Sequence, residues 1–352
     1  MASPIDTELG FVEKVDCWRL NSKFFPSKVG GKPSWLRLKN LPAENLLQCH
    51  NCKKQCVFLL QVYAPVTEKE SCFHRTVFIF CCRNPQCYSS SNSPPIVVFR
   101  CQLPRINEFY DFEPPEEKEN GGLLSPDDFG QKLCVVCGCA GPKQCGKCHK
   151  VTYCSRDHQT VDWRDGHKIN CGNQGCEMNV SKLLFPEYEI VTEAEEYEEP
   201  EENEKCEADK MKEYAEFMES EEAKSVMKDR GLTDHDLERM ALHENDEQFT
   251  VFQKRINHEP EQVLRYNRGG KPLWVSSENI PKDEEIPACQ CGAKRKFEFQ
   301  IMPQLLIHLN VDSIGESLDW GTLGIYTCSD SCDGISYHQE YVWKQDYSNG
   351  NK

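Results

Sequence analysis

The sequence has no long apolar run and is short of positive charge. None of its 352 residues lies in a stretch that approaches the roughly 20 apolar residues of a membrane-spanning helix. Residues 1–10 are polar and acidic and lack the apolar core of a secretory signal, so we expect no leader peptide. With 41 Lys and Arg against 57 Asp and Glu, the net charge of −16 argues against bare nucleic acid as the main ligand.

Catalytic motifs are also missing. There is no Gly-x-Ser-x-Gly, no His-Glu-x-x-His and no SET-domain Asn-His-x-Cys segment, and the Gly-Gly-Lys-Pro blocks lack the Lys-Ser/Thr ending of a phosphate loop. The close Cys and His pairs are explained by closed metal sites, which leave no open coordination position for water. We therefore predict that the protein is not an enzyme.

Cysteine, in contrast, is abundant, with 22 residues. In a chain without a leader peptide we expect a reducing compartment, the cytoplasm or the nucleus, where thiols stay reduced. Closely paired cysteines in such a chain indicate zinc ligands rather than disulfides.

One short block occurs twice. Gly-Gly-Lys-Pro-x-Trp begins at Gly30 and again at Gly269, 239 positions later (269 minus 30). Each copy is followed by a cysteine pair, an apolar run and a second cysteine pair. This order predicts one β-rich, zinc-ribbon-like module used twice, over residues 1–125 and 225–352, with the two copies pairing into one body.

The cysteine pairs of these modules have the ligand count of a four-cysteine zinc site. The two candidate sets are Cys49, Cys52, Cys82 and Cys87, and Cys289, Cys291, Cys328 and Cys332. Two alternatives stay open: the thiols could be small apolar core groups, and His50 or His74 could replace a ligand of the first set.

Residue patterns predict an α+β protein that is mainly β. Short runs rich in β-branched and aromatic residues predict strands. They cover 57–63, 75–80, 96–100, 297–302, 305–309, 323–327 and 335–343. Helices are expected over 210–228, 233–242, 246–257 and 261–266.

The segment inserted between the modules contains the most specific motif. Four pairs of ligands follow one another within residues 134–171: Cys134 and Cys137, Cys145 and Cys148, Cys154 and His158, and His167 and Cys171. Eight donors make two closed tetrahedral zinc sites. A segment this short has little core of its own, so zinc binding should supply most of its folding free energy.

Acid is concentrated after this motif. Residues 187–222 contain 17 Asp and Glu and three Lys, and so carry −14 of the net charge of −16. Such a segment has little to bury, and we expect a disordered, solvated linker. The alternative is a soft electrostatic clamp for a basic partner, acting over about one Debye length of 8 Å.

Residues 134–171 resemble a MYND zinc finger. The resemblance implies a cross-brace, in which Cys134, Cys137, Cys154 and His158 bind one zinc ion and Cys145, Cys148, His167 and Cys171 bind the other. His158 stands where most MYND fingers have cysteine, and Cys139 is an additional thiol. MYND fingers generally bind proline-containing peptides rather than DNA, which makes such a peptide a candidate partner here.

The chain as a whole resembles the programmed cell death protein 2 family. In the first half the similar segments are Phe25-Pro-Ser-Lys-Val-Gly-Gly-Lys-Pro-Ser-Trp-Leu36, Phe58-Leu-Leu-Gln-Val-Tyr-Ala-Pro65 and Phe99-Arg-Cys-Gln-Leu-Pro-Arg105. In the second half they are Glu261-Gln-Val-Leu-Arg-Tyr-Asn-Arg-Gly-Gly270, Phe297-Glu-Phe-Gln-Ile-Met-Pro-Gln304 and Tyr341-Val-Trp-Lys-Gln-Asp346.

The resemblance implies a function in ribosome assembly. Members of this family look like dedicated chaperones of one small-subunit ribosomal protein, that of the universal S-five family (S-two in eukaryotes), in cytoplasm and nucleus. We expect the two modules to grip this basic client and the acidic linker to shield its tails. The alternative is a nuclear adaptor in transcription or cell death, whose MYND finger binds proline-containing corepressor peptides.

Overall fold

The computed structural model describes residues 7–88, 94–119, 122–172, 182–197, 246–311 and 317–346. The chain divides into two units. The larger unit comprises Met1–Ala194, Glu261–Leu273 and Pro281–Asp346, and the smaller comprises Glu195–Pro260, Trp274–Ile280 and Tyr347–Lys352. Every helix within the described ranges is too short or too polar to cross a lipid bilayer.

The larger unit is mainly β. Its strands are β1 Glu8–Glu13, β2 Lys28–Val29, β3 Val57–Tyr63, β4 His74–Cys81, β5 Ile96–Leu103, β6 Lys143–Gln144, β7 Thr152–Tyr153, β8 Tyr188–Ala194, β9 Leu264–Tyr266, β10 Arg295–Ile301, β11 Thr322–Cys328 and β12 His338–Gln345. The α-helices of the described chain are α1 Arg156–Asp162, α2 Lys168–Asn170, α3 Glu247–His258 and α4 Leu305–His308.

Ten strands close into one antiparallel barrel. Around the wall their order is β1, β8, β2, β3, β4, β5, β12, β11, β10 and β9, and β9 pairs again with β1. Every residue of β4 and β11 is buried, which explains the unbroken apolar run over residues 77–81 of β4. The prediction of a mainly β fold is confirmed.

The two halves of the chain contribute to the wall in the same way. The strands β2 to β5 and β9 to β12 are each antiparallel neighbours in chain order, and the two sets meet where β5 pairs with β12. A bulge interrupts β3 between Phe58 and Leu60, and another interrupts β10 between Phe297 and Phe299. The two bulges lie 239 positions apart (297 minus 58), which is the separation of the repeated Gly-Gly-Lys-Pro blocks.

Two glutamines repeat the same hydrogen bonds. In β3, Gln61 accepts a hydrogen bond from the backbone N–H of Ser34 at 2.9 Å and donates to its carbonyl at 3.2 Å. In β10, Gln300 makes the same pair of bonds with the backbone of Leu273, at 2.5 and 3.0 Å. Each glutamine therefore holds the residue that follows a Gly-Gly-Lys-Pro block against a barrel strand.

Buried ion pairs join the halves. Arg75 in β4 binds Glu298 in β10, and Arg100 in β5 binds Glu340 in β12 at 2.7 Å; all four side chains are fully buried. Three strands separate β4 from β10 around the wall, so the contact between Arg75 and Glu298 crosses the barrel interior. Glu298 is the additional residue of the β10 bulge, and a bulge is a means of redirecting one side chain.

The inserted finger packs on the barrel. It contains the β6–β7 hairpin, α1 and α2, and it shares one continuous hydrophobic core with barrel residues. The indole N–H of Trp35, in the first repeated block, donates to the carbonyl of Gly138 in the finger at 2.8 Å. Lys143 forms an ion pair with Glu44 at 2.7 Å. The finger is therefore part of the larger unit.

In the smaller unit, the predicted helix over 246–257 is confirmed as α3. Asp246 caps it by accepting a hydrogen bond from the N–H of Gln248 at 2.9 Å, and also accepts one from the N–H of Ser277 at 2.8 Å. Arg255 forms an ion pair with Glu195 at 3.1 Å, so this residue of the acidic segment contacts the helix.

Two predicted elements are wrong. The expected strand over 305–309 contains α4, which buries Leu305 and Leu306 and is followed by the buried Leu309. A short apolar run does not distinguish a strand from a helix. The expected helix over 261–266 contains β9, because this apolar segment is needed as a strand between β1 and β10.

The acidic segment begins differently from the prediction. The linker was expected from residue 187, but Tyr188–Ala194 form β8. This strand pairs with β1 on one side and β2 on the other and buries Ile190. Backbone pairing on both edges therefore orders a segment whose composition alone favours disorder. Residues 198–222, and the predicted helices over 210–228 and 233–242, lie outside the described residues.

Candidate zinc sites

The first ligand set of the finger converges on one point. The Sγ atom of Cys137 lies 3.7 Å from that of Cys154, and Nδ1 of His158 lies 3.1 Å from Cys154 Sγ and 3.7 Å from Cys134 Sγ. All four residues are buried, and their donor atoms lie within 4.8 Å of one another. The structure thus brings together the four residues that the resemblance assigns to one ion, with a histidine as the fourth donor.

The second set lies nearer the surface. Cys145 Sγ is 3.9 Å from Cys171 Sγ, and Nε2 of His167 is 3.4 Å from Cys145 Sγ and 3.6 Å from Cys148 Sγ. Only Cys145 of these four is buried. The ligands of the two sets alternate in pairs along the chain, which is the cross-brace arrangement.

Each half of the barrel carries a further set of four cysteines. Cys52 and Cys82 approach to 3.5 Å between sulfurs, in the group completed by Cys49 and Cys87. In the second half the sulfur distances are 3.6 Å between Cys289 and Cys332 and 3.7 Å between Cys291 and Cys328. The first set lies at one end of the β3–β4 hairpin and the second at the matching end of the β10–β11 hairpin.

These distances fit zinc. Four sulfur donors placed tetrahedrally about 2.3 Å from one ion stand about 3.8 Å apart. The sulfur–sulfur contacts described here span 3.5 to 3.9 Å, whereas a disulfide would require about 2.05 Å. Thiolate and imidazole donors in closed sets of four are the ligands that structural zinc prefers. Zinc bound there would hold the loops together and favour folding.

A repeated backbone turn shapes all four sites. After the first cysteine of each set the chain turns back, and an N–H three or four residues later donates to that cysteine's carbonyl at 2.8 to 3.0 Å. The donating residue has a positive φ in every case: Lys53, Gly138, His149 and Gly292. The last turn is one residue shorter, which accommodates the tight Cys289-x-Cys291 spacing. Sequence reasoning missed these positions, because two of the four are not glycine.

The α1 helix orients one histidine ligand. Ser155 caps this helix, and its hydroxyl accepts a hydrogen bond from the N–H of His158 at 3.1 Å. Cys154 directly precedes this cap and His158 lies in the first turn of the helix, so the two donors face the same point. The second histidine, His167, follows Gly166, whose φ of 144° breaks the helix before α2.

Local environment shifts the pKa values of the thiols in both directions, among the grouped donors as well as in the core. A hydrogen bond from the backbone N–H of Ala293 lowers the pKa of the exposed Cys291 thiol to about 7, which favours the thiolate that metal binding requires. Burial instead raises the pKa of Cys101 to about 11 and that of Cys81 to about 12. These two thiols lie outside every ligand set and are part of the core.

The alternative ligands of the first set are not at the site. His74 lies in β4, and its Nδ1 is 3.0 Å from the hydroxyl of Tyr63, at the opposite end of the β3–β4 hairpin. His50 is exposed and is not among the four grouped donors. The additional thiol of the finger, Cys139, is buried beside the first site. Cys176 and Cys206 lie outside the described residues.

Three family models match the sequence. The models for the N-terminal and C-terminal domains of programmed cell death protein 2 match residues 6–117 and 246–346. The MYND finger model matches residues 134–171, which are the limits of the eight-ligand motif. A search of the solved structures finds no significant match.

Relatives cover nearly the whole chain. Programmed cell death protein 2 of Rattus norvegicus is 47% identical over 97% of this chain and 97% of its own length. Programmed cell death protein 2-like of Homo sapiens is 28% identical over 87% of this chain and 85% of its own. A Schizosaccharomyces pombe protein named probable 20S rRNA accumulation protein 4 is 24% identical over 85% of this chain and 87% of its own.

Proposed function

Since this chain belongs to the programmed cell death protein 2 family, we propose that it is a non-enzymatic chaperone for one newly made small-subunit ribosomal protein. The client would be the protein of the universal S-five family, S-two in eukaryotes, and its delivery would support 40S assembly. The observation that carries this proposal is the fission yeast relative, which is named for the accumulation of 20S rRNA.

The charge distribution supports a basic client. A ribosomal protein that has not yet met its RNA exposes a basic surface, which attracts acidic partners and aggregates readily. This chain carries −16, of which −14 lies in residues 187–222. A dense acidic segment attracts cations over about 8 Å at physiological salt and raises the rate of encounter without requiring a fitted surface.

The metal sites support a binding role rather than catalysis. Each of the four sets supplies four protein donors, so a bound zinc ion has no open position for water or substrate. In this proposal the two halves are duplicated zinc-ribbon-like modules that grip the client together. The protein would act in the cytoplasm, where the client is made, and in the nucleus.

Affinity purification from growing cells tests the proposal. The tagged chain is isolated with and without a brief block of translation, and co-purifying proteins are identified by mass spectrometry. One dominant small-subunit ribosomal protein, lost soon after the block, is the expected result. Capture of mainly mature ribosomes, or of no ribosomal protein, would contradict the proposal.

A charge variant sharpens this experiment. Replacing the five glutamates within residues 198–204 by glutamine should weaken capture of the client. A shuffled 198–204 segment of unchanged composition is the matched control and should capture normally, because long-range attraction depends on charge rather than order.

One observation favours a second function, that of a nuclear adaptor. Ile169, in α2 of the finger, is 83% exposed. A large exposed apolar residue on a finger of a type that binds peptides is a candidate contact for a partner. If the adaptor function is the main one, the co-purifying proteins would be transcription regulators that are insensitive to the translation block. An Ile169→Ser variant would lose them and keep any ribosomal client.

Deleting the finger is a poorer test, because the finger shares its core with the barrel. Removal of residues 134–171 would take away the partner of the Trp35 indole and expose core residues. Point variants on the finger surface keep the fold and separate the two functions.

A further inference from the structure

A second surface feature lies at the end of the β3–β4 hairpin opposite the cysteine set. It is a cavity of about 690 Å³, lined by residues from the start of β4, the segments around Phe25 and Tyr110, and the loop that follows β5. None of its lining residues belongs to a zinc ligand set. The finger contributes nothing to it, so it is independent of the sites described above.

Aromatic rings form much of the wall. Phe25 stacks on His74 with 4.2 Å between ring centroids and on Tyr63 with 5.4 Å. Phe112 also lines the cavity and is 52% exposed. An exposed aromatic ring beside a cavity indicates a surface that is available for a ligand.

The protein's own Arg105 shows what these rings accept. Its guanidinium lies 3.7 Å from the ring centroid of Phe112 and 5.1 Å from that of Phe73. A planar cation over an aromatic face is attracted by the ring's negative face, and arginine makes this contact more often than lysine. Because Phe112 remains half exposed with Arg105 in place, a second cation can reach it.

Carboxylates surround the mouth. The lining contains Asp111, Glu113, Glu116 and Glu117 against two cations, Lys23 and Arg105. Burial and the charge of Arg105 lower the pKa of His74 to about 4, so its ring adds no positive charge at physiological pH. Asp111 and Glu113 are exposed and form no ion pair with any residue in the described ranges.

We propose that this cavity binds an arginine side chain from an extended basic segment of the client protein. The guanidinium would lie on Phe112, and the carboxylates of Asp111 and Glu113 would accept its N–H groups. The inference rests on the proposed function for the identity of the client, whereas the preference for arginine rests on the two ring contacts of Arg105 and on the planar shape of the guanidinium. Binding in this cavity would be a specific contact, unlike the long-range attraction exerted by the acidic segment.

Three labelled peptides of about twelve residues provide the probe, with glycine alternating with arginine, lysine or glutamine. Binding to the full-length, zinc-loaded protein is measured by fluorescence anisotropy at about 0.15 M salt, where diffuse attraction is screened. The arginine peptide should bind best, the lysine peptide less well, and the glutamine peptide least.

Variants then locate the site. Phe112→Ala should lower the affinity for the arginine peptide about tenfold, because the stacking contact is lost, and should lower the affinity for the lysine peptide less. Asp111→Asn with Glu113→Gln should lower the affinity for both cationic peptides. The matched control, Asp283→Asn with Glu284→Gln, removes the same charge from exposed positions in the second half of the chain and should bind like the unmodified protein. Unchanged zinc content and circular dichroism show that each variant folds.

Two results would overturn the proposal: equal binding of the glutamine and arginine peptides, or equal affinities of the cavity variants and the control. Co-purification from cells separates this failure from failure of the proposed function. If the unmodified protein and the Phe112 variant capture the ribosomal protein equally, the cavity is not its site and the proposed function stands. If neither captures it while the peptides still discriminate, the arginine site stands and the identity of the client is wrong.

Discussion

Arg75 and Glu298 bind each other through the interior of the barrel with two parallel hydrogen bonds, of 2.6 and 2.8 Å. Neither side chain is exposed to solvent, and the residues are 223 positions apart in the chain. Glu298 also accepts hydrogen bonds from the hydroxyl of Tyr266, at 2.9 Å, and from that of Thr327. The positive charge of Arg75 outweighs burial and lowers the pKa of Glu298 to about 2, so this carboxylate is ionised in the folded protein.

Removing one partner of this pair should strongly destabilise the folded protein. Glu298→Leu takes away the carboxylate that binds Arg75 and should lower the free energy of unfolding by about 3–5 kcal/mol. Arg75→Met should cost less, because Arg268 still pairs with Glu298 at 3.2 Å. The double variant should lose less free energy of unfolding than the sum of the losses in the two single variants. Denaturant unfolding of the four proteins measures the coupling, and Lys39→Ala at the exposed ion pair with Glu108 is the control, with about 1 kcal/mol or less. Additive losses in the double variant would contradict the finding.

The cysteine sets of the barrel should each hold one zinc ion. We expect four ions per chain by inductively coupled plasma mass spectrometry, two in the finger and one in each half. Cys52→Ser and Cys291→Ser should each remove one, because serine is a poor zinc ligand. Cys17→Ser, at an exposed thiol outside every set, should keep all four. Two ions in the unmodified protein would show that the cysteine sets of the barrel do not bind zinc.

Trp35 should stabilise both the barrel and the finger. Its ring packs 5.2 Å from that of Phe78, and its N–H reaches the finger at Gly138. Trp35→Ala should lower the free energy of unfolding by about 3–5 kcal/mol, and Trp35→Phe, which loses mainly the hydrogen bond, by about 1 kcal/mol. Proteolysis should cleave the finger faster in the alanine variant. Unchanged cleavage in that variant would mean that the finger holds its position without this contact.

The stability of the protein should fall in mild acid partly through His74. Burial, with the charge of Arg105, places the folded-state pKa of His74 at about 4, against an ordinary value of 6.5. As pH falls below about 6.5, the unfolded chain takes up a proton that the folded protein does not, so unfolding becomes more favourable. Between about pH 7.5 and 5.5 the unmodified protein should lose about 1 kcal/mol more than His74→Gln. Equal losses of stability in the unmodified protein and in His74→Gln, measured by urea unfolding, would contradict a neutral, buried His74.

Much of the local chemistry could be predicted from spacing. The structure groups all sixteen proposed zinc ligands as the sequence and the resemblance placed them, because cysteine pairs on short turns are local features. Five of the seven expected strands correspond to β3, β4, β5, β10 and β11, and a sixth overlaps β12.

Closure of the barrel could not be predicted in the same way. β8 lies in a segment whose acidity indicates disorder, and β9 is only three residues long. Both pair with β1, which is distant in the sequence, on one edge and with a second strand on the other. The Arg75 and Glu298 pair was missed for the same reason, since nothing near either residue identifies a partner in the other half.

The strand order of the barrel also determines when the edge of β5 becomes paired during synthesis. β5 ends at Leu103, but its outer neighbour β12 begins only at His338, so a growing chain carries an unpaired strand edge for more than two hundred residues of translation. Exposed edges of this kind invite pairing with other chains. A protein proposed to protect another nascent chain would thus itself keep this edge unpaired until its last strand leaves the ribosome.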